Sequence, residues 1–481
     1  MATVSDHAPA PTLRTPTLLD RLGEALDLEG IPCCQWKGHY KRAYWESGDG
    51  DVDLLVEPGM AERLDGVLDR LGFKQGLPPA ETVIPGTVNW FGYDPTQRAL
   101  IHVHVHVRLT LGGYWTTMYR LPIEKALLDS MAPRLPFAVP EPELEFLIFV
   151  IRSVQRYRTS DLFTPDQPRW LRAAQAEFAY LLSQVDRRKL VSRLEELLPS
   201  IDTAFFDECA RSMRPGVSRW WRLWLRWRLH ARLRPHAHSP PPFMLLRRVA
   251  RRLRLQPRAR RLQLARGGKL IALLGGDGAG KTTCNAELNR WLGAQFDVRR
   301  AHLGRPPRSL TTLFVGGLLK LDRLVRGTGA PGGTPRLLEL VRLVCTARDR
   351  YHLFSEMRSF SESGGIAICE RYPVPQNRLL VGPEIARLLG HGRDTPLARR
   401  LMRWEQWYYR HITPPDLVIV LRVDPELAVR RKTDEPADYV RARSRIIWET
   451  DWSETGARLV DAGRPLGDVL ADLKSVIWAE I

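Results

Sequence analysis

Between residues 275 and 283 the chain reads Gly-Gly-Asp-Gly-Ala-Gly-Lys-Thr-Thr. This is the spacing G-x-x-x-x-G-K-T, which cradles phosphate. Glycines, having no Cβ, let successive backbone N–H groups curl around an anion. Lys281 brings a cation to the outer phosphates, and the Thr282 hydroxyl is a hard oxygen suited to Mg²⁺. The motif needs a strand before it and a helix after it. The apolar run Leu270–Leu274 supplies the first, and Leu288, Trp291 and Leu292 recur on one face of the second. The helix N-terminus adds partial positive charge at the same point. This segment is expected to bind a nucleoside triphosphate.

A second cluster lies near the N-terminus. Asp51-Val52-Asp53-Leu54-Leu55-Val56 follows Gly48 and Gly50, and its alternation puts both carboxylates on one face of a strand. Two carboxylates so placed can hold hard divalent cations, which nucleotidyl transfer requires to clamp attacking and leaving oxygens. Farther on, His102, His104 and His106 alternate with valines and also share a strand face. Beside Asp51 and Asp53 they could complete a transition-metal site, which imidazole suits. They would equally make a polar strand face opposite a valine core. The metal-ligating candidates are Asp51, Asp53 and His104, with Thr282 and Glu370 in the later half.

The elements that must position these residues are legible as alternating patterns. Helical stretches are expected at Glu143–Tyr157, Arg169–Gln184 and Arg187–Leu198, with Leu144, Leu147, Ile148 and Ile151 making one stripe. Beyond the glycine loop, strands are expected at Val298–Leu303, Ile366–Cys369, Leu417–Val423 and Arg458–Val460, with helices between them. That alternation gives an open parallel α/β sheet. Glu370, directly after an apolar strand, is the candidate second carboxylate for the metal.

At 481 residues and 44% hydrophobic, the chain can bury more than one core. No apolar run reaches the length of a membrane span, and no signal peptide is read at the N-terminus. Six cysteines without C-x-x-C spacing fit a reducing compartment. The expected location is cytoplasmic, extending to the inner face of the membrane as a peripheral protein. The net charge of +18 is local: from Arg211 to Gly276 there are seventeen arginines and one lysine with no acid. Within that run, Val217–Arg234 forms a helix with Trp220, Trp224, Trp227 and Leu223 on one face and Arg219, Arg222, Arg226 and His230 opposite. A second basic helix is expected at Met244–Leu255. Three readings stay open: a domain-packing helix with enclosed tryptophans, an anionic membrane surface contacted through 217–255, and nucleic acid, which is not expected without an accompanying motif.

The later half resembles thymidylate kinase and nucleoside monophosphate kinases generally. The loop Gly275–Thr283, Ala347-Arg348-Asp349-Arg350, Glu370-Arg371-Tyr372, Pro415-Asp416-Leu417 through Val423-Asp424-Pro425-Glu426, the basic run Arg430-Arg431-Lys432 with Arg441, Arg443 and Arg445 beyond, and Val460-Asp461-Ala462 carry the likeness in the right order. The resemblance implies ATP and Mg²⁺ as cofactors. Gly275, Asp277, Gly278, Gly280, Lys281, Thr282 and Thr283 would bind the nucleotide, and Lys281, Glu370, Arg371, Arg430 and Arg431 would be catalytic. Arg371 and Arg348 would grip the acceptor phosphate. His302-Leu303-Gly304-Arg305-Pro306-Pro307 stands where thymidylate kinases carry Arg-Glu-Pro-Gly-Gly-Thr, so the acceptor need not be thymidine monophosphate.

The earlier half resembles the nucleotidyltransferases of the DNA polymerase β type, through Lys37-Gly38, Asp51-Val52-Asp53-Leu54-Leu55-Val56 and the strand Ile101–Leu109. His106 aligns with that family's histidine, and His104 stands in place of its third aspartate.

The expected architecture is therefore α/β. A nucleotidyltransferase-like α+β domain (1–139) is followed by a helical extension (140–212), basic Trp/Arg-rich linker helices (213–266) and a parallel-sheet P-loop kinase domain (267–481). The expected activity is ATP- and Mg²⁺-dependent phosphotransfer to a nucleotide or related small acceptor. An ATP-binding regulatory protein with a degenerate first domain and a bifunctional kinase/nucleotidyltransferase are the alternatives, and a homodimer stays open.

Overall fold

The computed structural model describes residues 15–112, 118–163, 168–238, 261–326, 337–374, 381–389 and 395–481. The chain divides into two compact units, 1–259 and 260–481.

In the first unit, strands β1 (Cys33–Lys37), β2 (Asp51–Val56), β3 (Lys74–Leu77), β4 (Thr87–Asp94) and β5 (Ala99–His106) lie in the order β1-β2-β5-β4-β3. The central pair β2/β5 is parallel and the other pairings are antiparallel. Two-residue alternation gives this sheet two different faces. On one, Val52, Leu54, Val56, Ile101, Val103 and Val105 pack with the apolar stripes of α1 (Leu18–Leu28) and α2 (Ala61–Arg70). Helix α1 starts with a capping box, in which the Thr17 hydroxyl accepts from Asp20 N–H and the Asp20 carboxylate accepts from Thr17 N–H.

The other face carries Leu55 and the Asp/His residues, and it looks onto a helical layer. That layer contains α3 (Pro142–Arg156), α4 (Arg169–Leu182), α5 (Arg187–Leu197), α6 (Thr203–Arg211) and α7 (Arg219–Arg232). Leu144, Leu147, Ile148 and Ile151 of α3 lie in one core with Cys34, Trp36 and Leu55 of the sheet and with Phe178, Leu194, Phe205 and Leu225 of the other helices. Each such leucine or isoleucine contributes about 1.5–3 kcal/mol on burial.

Of the readings left open for helix α7, the one with enclosed tryptophans is not what the structure shows. The helix's inward side is Arg222, Leu225 and Leu229, while Trp220 and Trp227 are about 70% exposed (69% and 71%) and Trp221 and Trp224 about 40% exposed (41% and 40%). The buried Arg222 is tolerated because its guanidinium donates to the carbonyls of Ser212 (2.8 Å) and Arg214 (2.9 Å). The expected helix at Met244–Leu255 lies outside the described residues.

In the second unit, β6 (Lys269–Gly275), β7 (Val298–His302), β8 (Ile366–Glu370), β9 (Leu417–Arg422) and β10 (Arg458–Asp461) form a sheet of order β7-β8-β6-β9-β10, parallel throughout. β6 is buried from Leu270 to Gly275, as a strand covered on both faces should be. Leu270, Ala272 and Leu274 pack with Phe354, Met357 and Phe360 of a long helix spanning Leu337–Glu362. The opposite face is covered by α8 (Lys281–Leu292), which packs beside the C-terminal helix Leu466–Glu480. No helix among the described residues is long and apolar enough to cross a membrane.

Candidate functional site

The second unit's site forms where β6 ends. β6 lies between β8 and β9, so the chain reverses its winding direction there and leaves a crevice at the carboxyl ends of the strands. The turn into α8 demands glycine. Gly278 and Gly280 have φ of +81° and +78°, and a Cβ on Gly278 would lie 2.6 Å from the carbonyl oxygen of Ala428. Helix α8 begins at Lys281 with Gly280 as its N-cap, so its unpaired first-turn N–H groups face the loop.

Lys281 is buried, and its ammonium donates to the Gly276 carbonyl at 2.5 Å. Burial first, and the neighbouring Arg371 charge second, push its pKa down to about 8, against the opposing pull of Asp277 and Glu370. Glu370 closes β8 directly opposite Leu273 of β6. Its carboxylate accepts from the Thr282 hydroxyl (3.3 Å) and the Asn285 amide (2.8 Å). The Asp277 carboxylate takes two guanidiniums, those of Arg371 and, at 3.0 Å, Arg443. Arg371 is one of two non-glycine residues at positive φ (+53°) among the described residues, a costly conformation that turns its side chain to the loop.

The expected site residues do not all converge. Lys281, Thr282, Asp277, Glu370 and Arg371 meet at the loop. Arg430 is exposed at the end of a short helix, Pro425–Arg431, and Arg431 is held elsewhere by the carbonyls of Ala462 (2.6 Å) and Gly463 (3.1 Å). From the basic stretch beyond, it is Arg443 that reaches Asp277; beside it, Ser444 donates to the Asp277 carbonyl at 3.0 Å. Both sit on the helix Ala437–Glu449. Arg348 donates to the hydroxyls of Ser309 (2.5 Å) and Thr311 and to Asp349 (3.1 Å). Asn285 was not anticipated, although its place four residues after Lys281 puts both on one helix face.

In the first unit, the parallel register sets Asp51 beside His102 and Asp53 beside His104. Asp53 Oδ1 lies 3.1 Å from Lys37 Nζ, 3.3 Å from His104 Nδ1 and 3.1 Å from His106 Nε2. Burial alone would raise the Asp53 carboxyl, but the Lys37 charge and the histidine hydrogen bonds hold it well below the usual carboxylate range. Burial also pushes His106 down to about 4, which leaves a neutral imidazole. Asp51 is more open and pairs with His102 at 2.6 Å. The residues brought within mutual reach of one cation are thus Asp53, His104 and His106.

No family model matches the chain. Among curated relatives, the chain is 32% identical over 216 residues to a probable thymidylate kinase of Pyrobaculum calidifontis, a match covering 43% of this chain and 94% of that protein. It is 27% identical over 225 residues to the uncharacterized ATP-binding protein YghS of Escherichia coli K12, covering 43% and 92%. Among solved structures, the thymidylate kinase of Candida albicans aligns at 18% identity over 44% of this chain and 91% of that one, with a TM-score of 0.30. Through about 43% of its length the chain therefore belongs to the thymidylate kinase family, as a kinase-like, ATP-binding P-loop protein.

Proposed function

We propose that the chain is an ATP-dependent phosphotransferase in which residues 267–481 act as a kinase of thymidylate-kinase type on a nucleotide or related small phosphate acceptor. The observation that carries this reading is the convergence of Lys281, Glu370, Arg371 and Arg443 on one glycine loop at the carboxyl ends of β6 and β8. In the reaction, an acceptor phosphate oxygen bonds to the γ-phosphorus while the bond to the β–γ bridging oxygen breaks, releasing ADP. Such transfer needs positioning and cationic stabilisation more than covalent help. Lys281 would hold the outer phosphates, and Arg371 with Arg443 would add positive charge at the loop. The Thr282 hydroxyl and the Glu370 carboxylate, 3.3 Å apart, are hard oxygen donors that suit Mg²⁺. When bound, that ion would neutralise phosphate charge.

In the same proposal the first unit is nucleotidyltransferase-like, with Asp53 and His104 as its metal-facing residues, joined by His106 rather than by Asp51, which pairs with His102, and 217–255 contacts an anionic membrane surface. The chain's segments in this proposal are 1–139, 140–212, 213–266 and 267–481.

The test is a phosphorylation screen of the purified chain with ATP and Mg²⁺ against nucleoside monophosphates, sugars and sugar phosphates. Transfer to a phosphate-bearing acceptor is expected, falling on the order of 10²-fold or more in Lys281→Ala with the far-ultraviolet circular dichroism unchanged. ATP hydrolysis with no acceptor phosphorylated, or unchanged turnover in the variant, overturns the reading.

A further inference from the structure

The Asp/His face of the first sheet borders a cavity of about 410 Å³, lined also by α3, α4 and α7. That volume lies within the range of small-ligand sites. Six cationic side chains line it: Lys37, Lys41, Arg152, Arg156, Arg158 and Arg226. Among the described lining residues Glu177 is the one acid, and it already pairs with Arg152 and, at 3.7 Å, with Lys41. Arg226 gives its Nε–H to the Gln155 carbonyl (3.1 Å), and Arg156 lies over the Trp170 ring. Burial lowers the pKa of both these arginines, with Arg152 and Arg158 adding repulsion at Arg156. A half-buried space with this excess of positive charge favours an anion strongly.

On the sheet side of the cavity, Asp53, His104 and His106 each offer a ligand atom, all within 4.8 Å of one another. One carboxylate and two imidazoles suit first-row transition metals such as zinc or cobalt better than magnesium. His104 and His106 also line the cavity, so an ion there would be reachable from inside it.

We propose that this cavity binds a small phosphate ester whose phosphate meets a transition-metal ion held by Asp53, His104 and His106. Lys37, which now balances Asp53 at 3.1 Å, would be released by the ion to the ligand's phosphate. This goes beyond the nucleotidyltransferase likeness, in which the paired carboxylates Asp51 and Asp53 hold hard cations, because Asp51 is engaged with His102 and outside the cluster. It is also independent of phosphotransfer by the second unit, which is read separately with ATP and Mg²⁺.

The test titrates the full chain with Co²⁺ and follows its visible d–d absorption. One Co²⁺ per chain is expected, bound at least tenfold more weakly by His104→Gln and by Asp53→Asn. X-ray absorption at the cobalt edge, which needs no variant, should show imidazole scattering. Inorganic phosphate, AMP and glucose 1-phosphate are then added in separate arms. Each should shift the band, and the one acting at lowest concentration identifies the body attached to the phosphate. The double variant Lys41→Gln/Arg158→Gln, which touches none of the three cation ligands, should keep Co²⁺ affinity and lose about tenfold in anion affinity. No cobalt bound, a cobalt spectrum without imidazole, or a band that no phosphate compound moves would overturn the proposal.

Discussion

Lys281 shows how a residue legible in the sequence acquires its chemistry only from the fold. Its spacing within the glycine loop marks it as a phosphate ligand, but the loss of water around it sets its pKa near 8 rather than the usual 10.5. The unfolded chain therefore binds more protons than the folded one between pH 8 and 10.5. Stability of the ligand-free second unit should rise with pH across that window, and the cost of the buried charge is fully present below it. Nucleotide binding runs the opposite way, because phosphate requires the charged ammonium. ATP affinity should fall by up to tenfold per unit above pH 8, with proton uptake approaching one per ATP. Calorimetry in two buffers of different ionisation enthalpy measures that uptake, and an affinity unchanged from pH 7 to 9 would refute the assignment. Arg443 was harder to select. Arg441, Arg443 and Arg445 all lie in one basic stretch, and only the docking of their helix through Ser444 decides which one meets Asp277.

At the scale of elements, periodicity carried most of the fold. The strands around the loop and the helices after Pro142 lie within a residue or two of where apolar spacing puts them, because each has one face whose burial outweighs alternatives. Helix α7 did not yield to the same reasoning. It has two stripes at helical spacing, one of tryptophans and one of leucines with arginines, and periodicity does not rank them. The leucine stripe is buried because Arg222 and Arg226 find carbonyls there, so the guanidiniums go inward without an unpaired donor at the bonded positions. The glycine loop is the opposite case, where local chemistry leaves no freedom. Gly278→Ala must place a Cβ 2.6 Å from the Ala428 carbonyl at φ +81°. About 2 kcal/mol or more of stability should be lost, seen as a lower Tm for the second unit together with weaker ATP binding. Gly316, in the same unit and on the helix Leu310–Arg326, where an added Cβ meets nothing within 4 Å, is the matched control and should lose no stability on replacement by alanine.

For the whole molecule, the question is what its local excess of positive charge does. The charge of +18 matches the acid-free run from Arg211 to Lys269, yet the described arginines of α7 are not all available to a partner. Arg222 and Arg226 are bonded to carbonyls, while Arg228 pairs with Glu208 (3.2 Å) and Arg232 with Asp202 (2.8 Å). What α7 presents outward is aromatic: Trp220, Trp221, Trp224 and Trp227. If 217–255 meets an anionic membrane surface, the tryptophans supply the apolar part, and the electrostatic part comes from arginines 247–254, outside the described residues. Each of those near the surface would contribute about 1 kcal/mol, screened by salt. Two separable dependences follow. The chain should sediment with vesicles containing phosphatidylglycerol but not with pure phosphatidylcholine, and high salt should release it. Trp220→Ala/Trp227→Ala should weaken binding about tenfold or more even at low salt, since each ring that leaves water contributes about 1.5–3 kcal/mol. Salt release without any effect of the tryptophan variant would leave charge alone as the attraction and remove α7 from the contact. Absence of sedimentation at low salt would end the membrane proposal altogether.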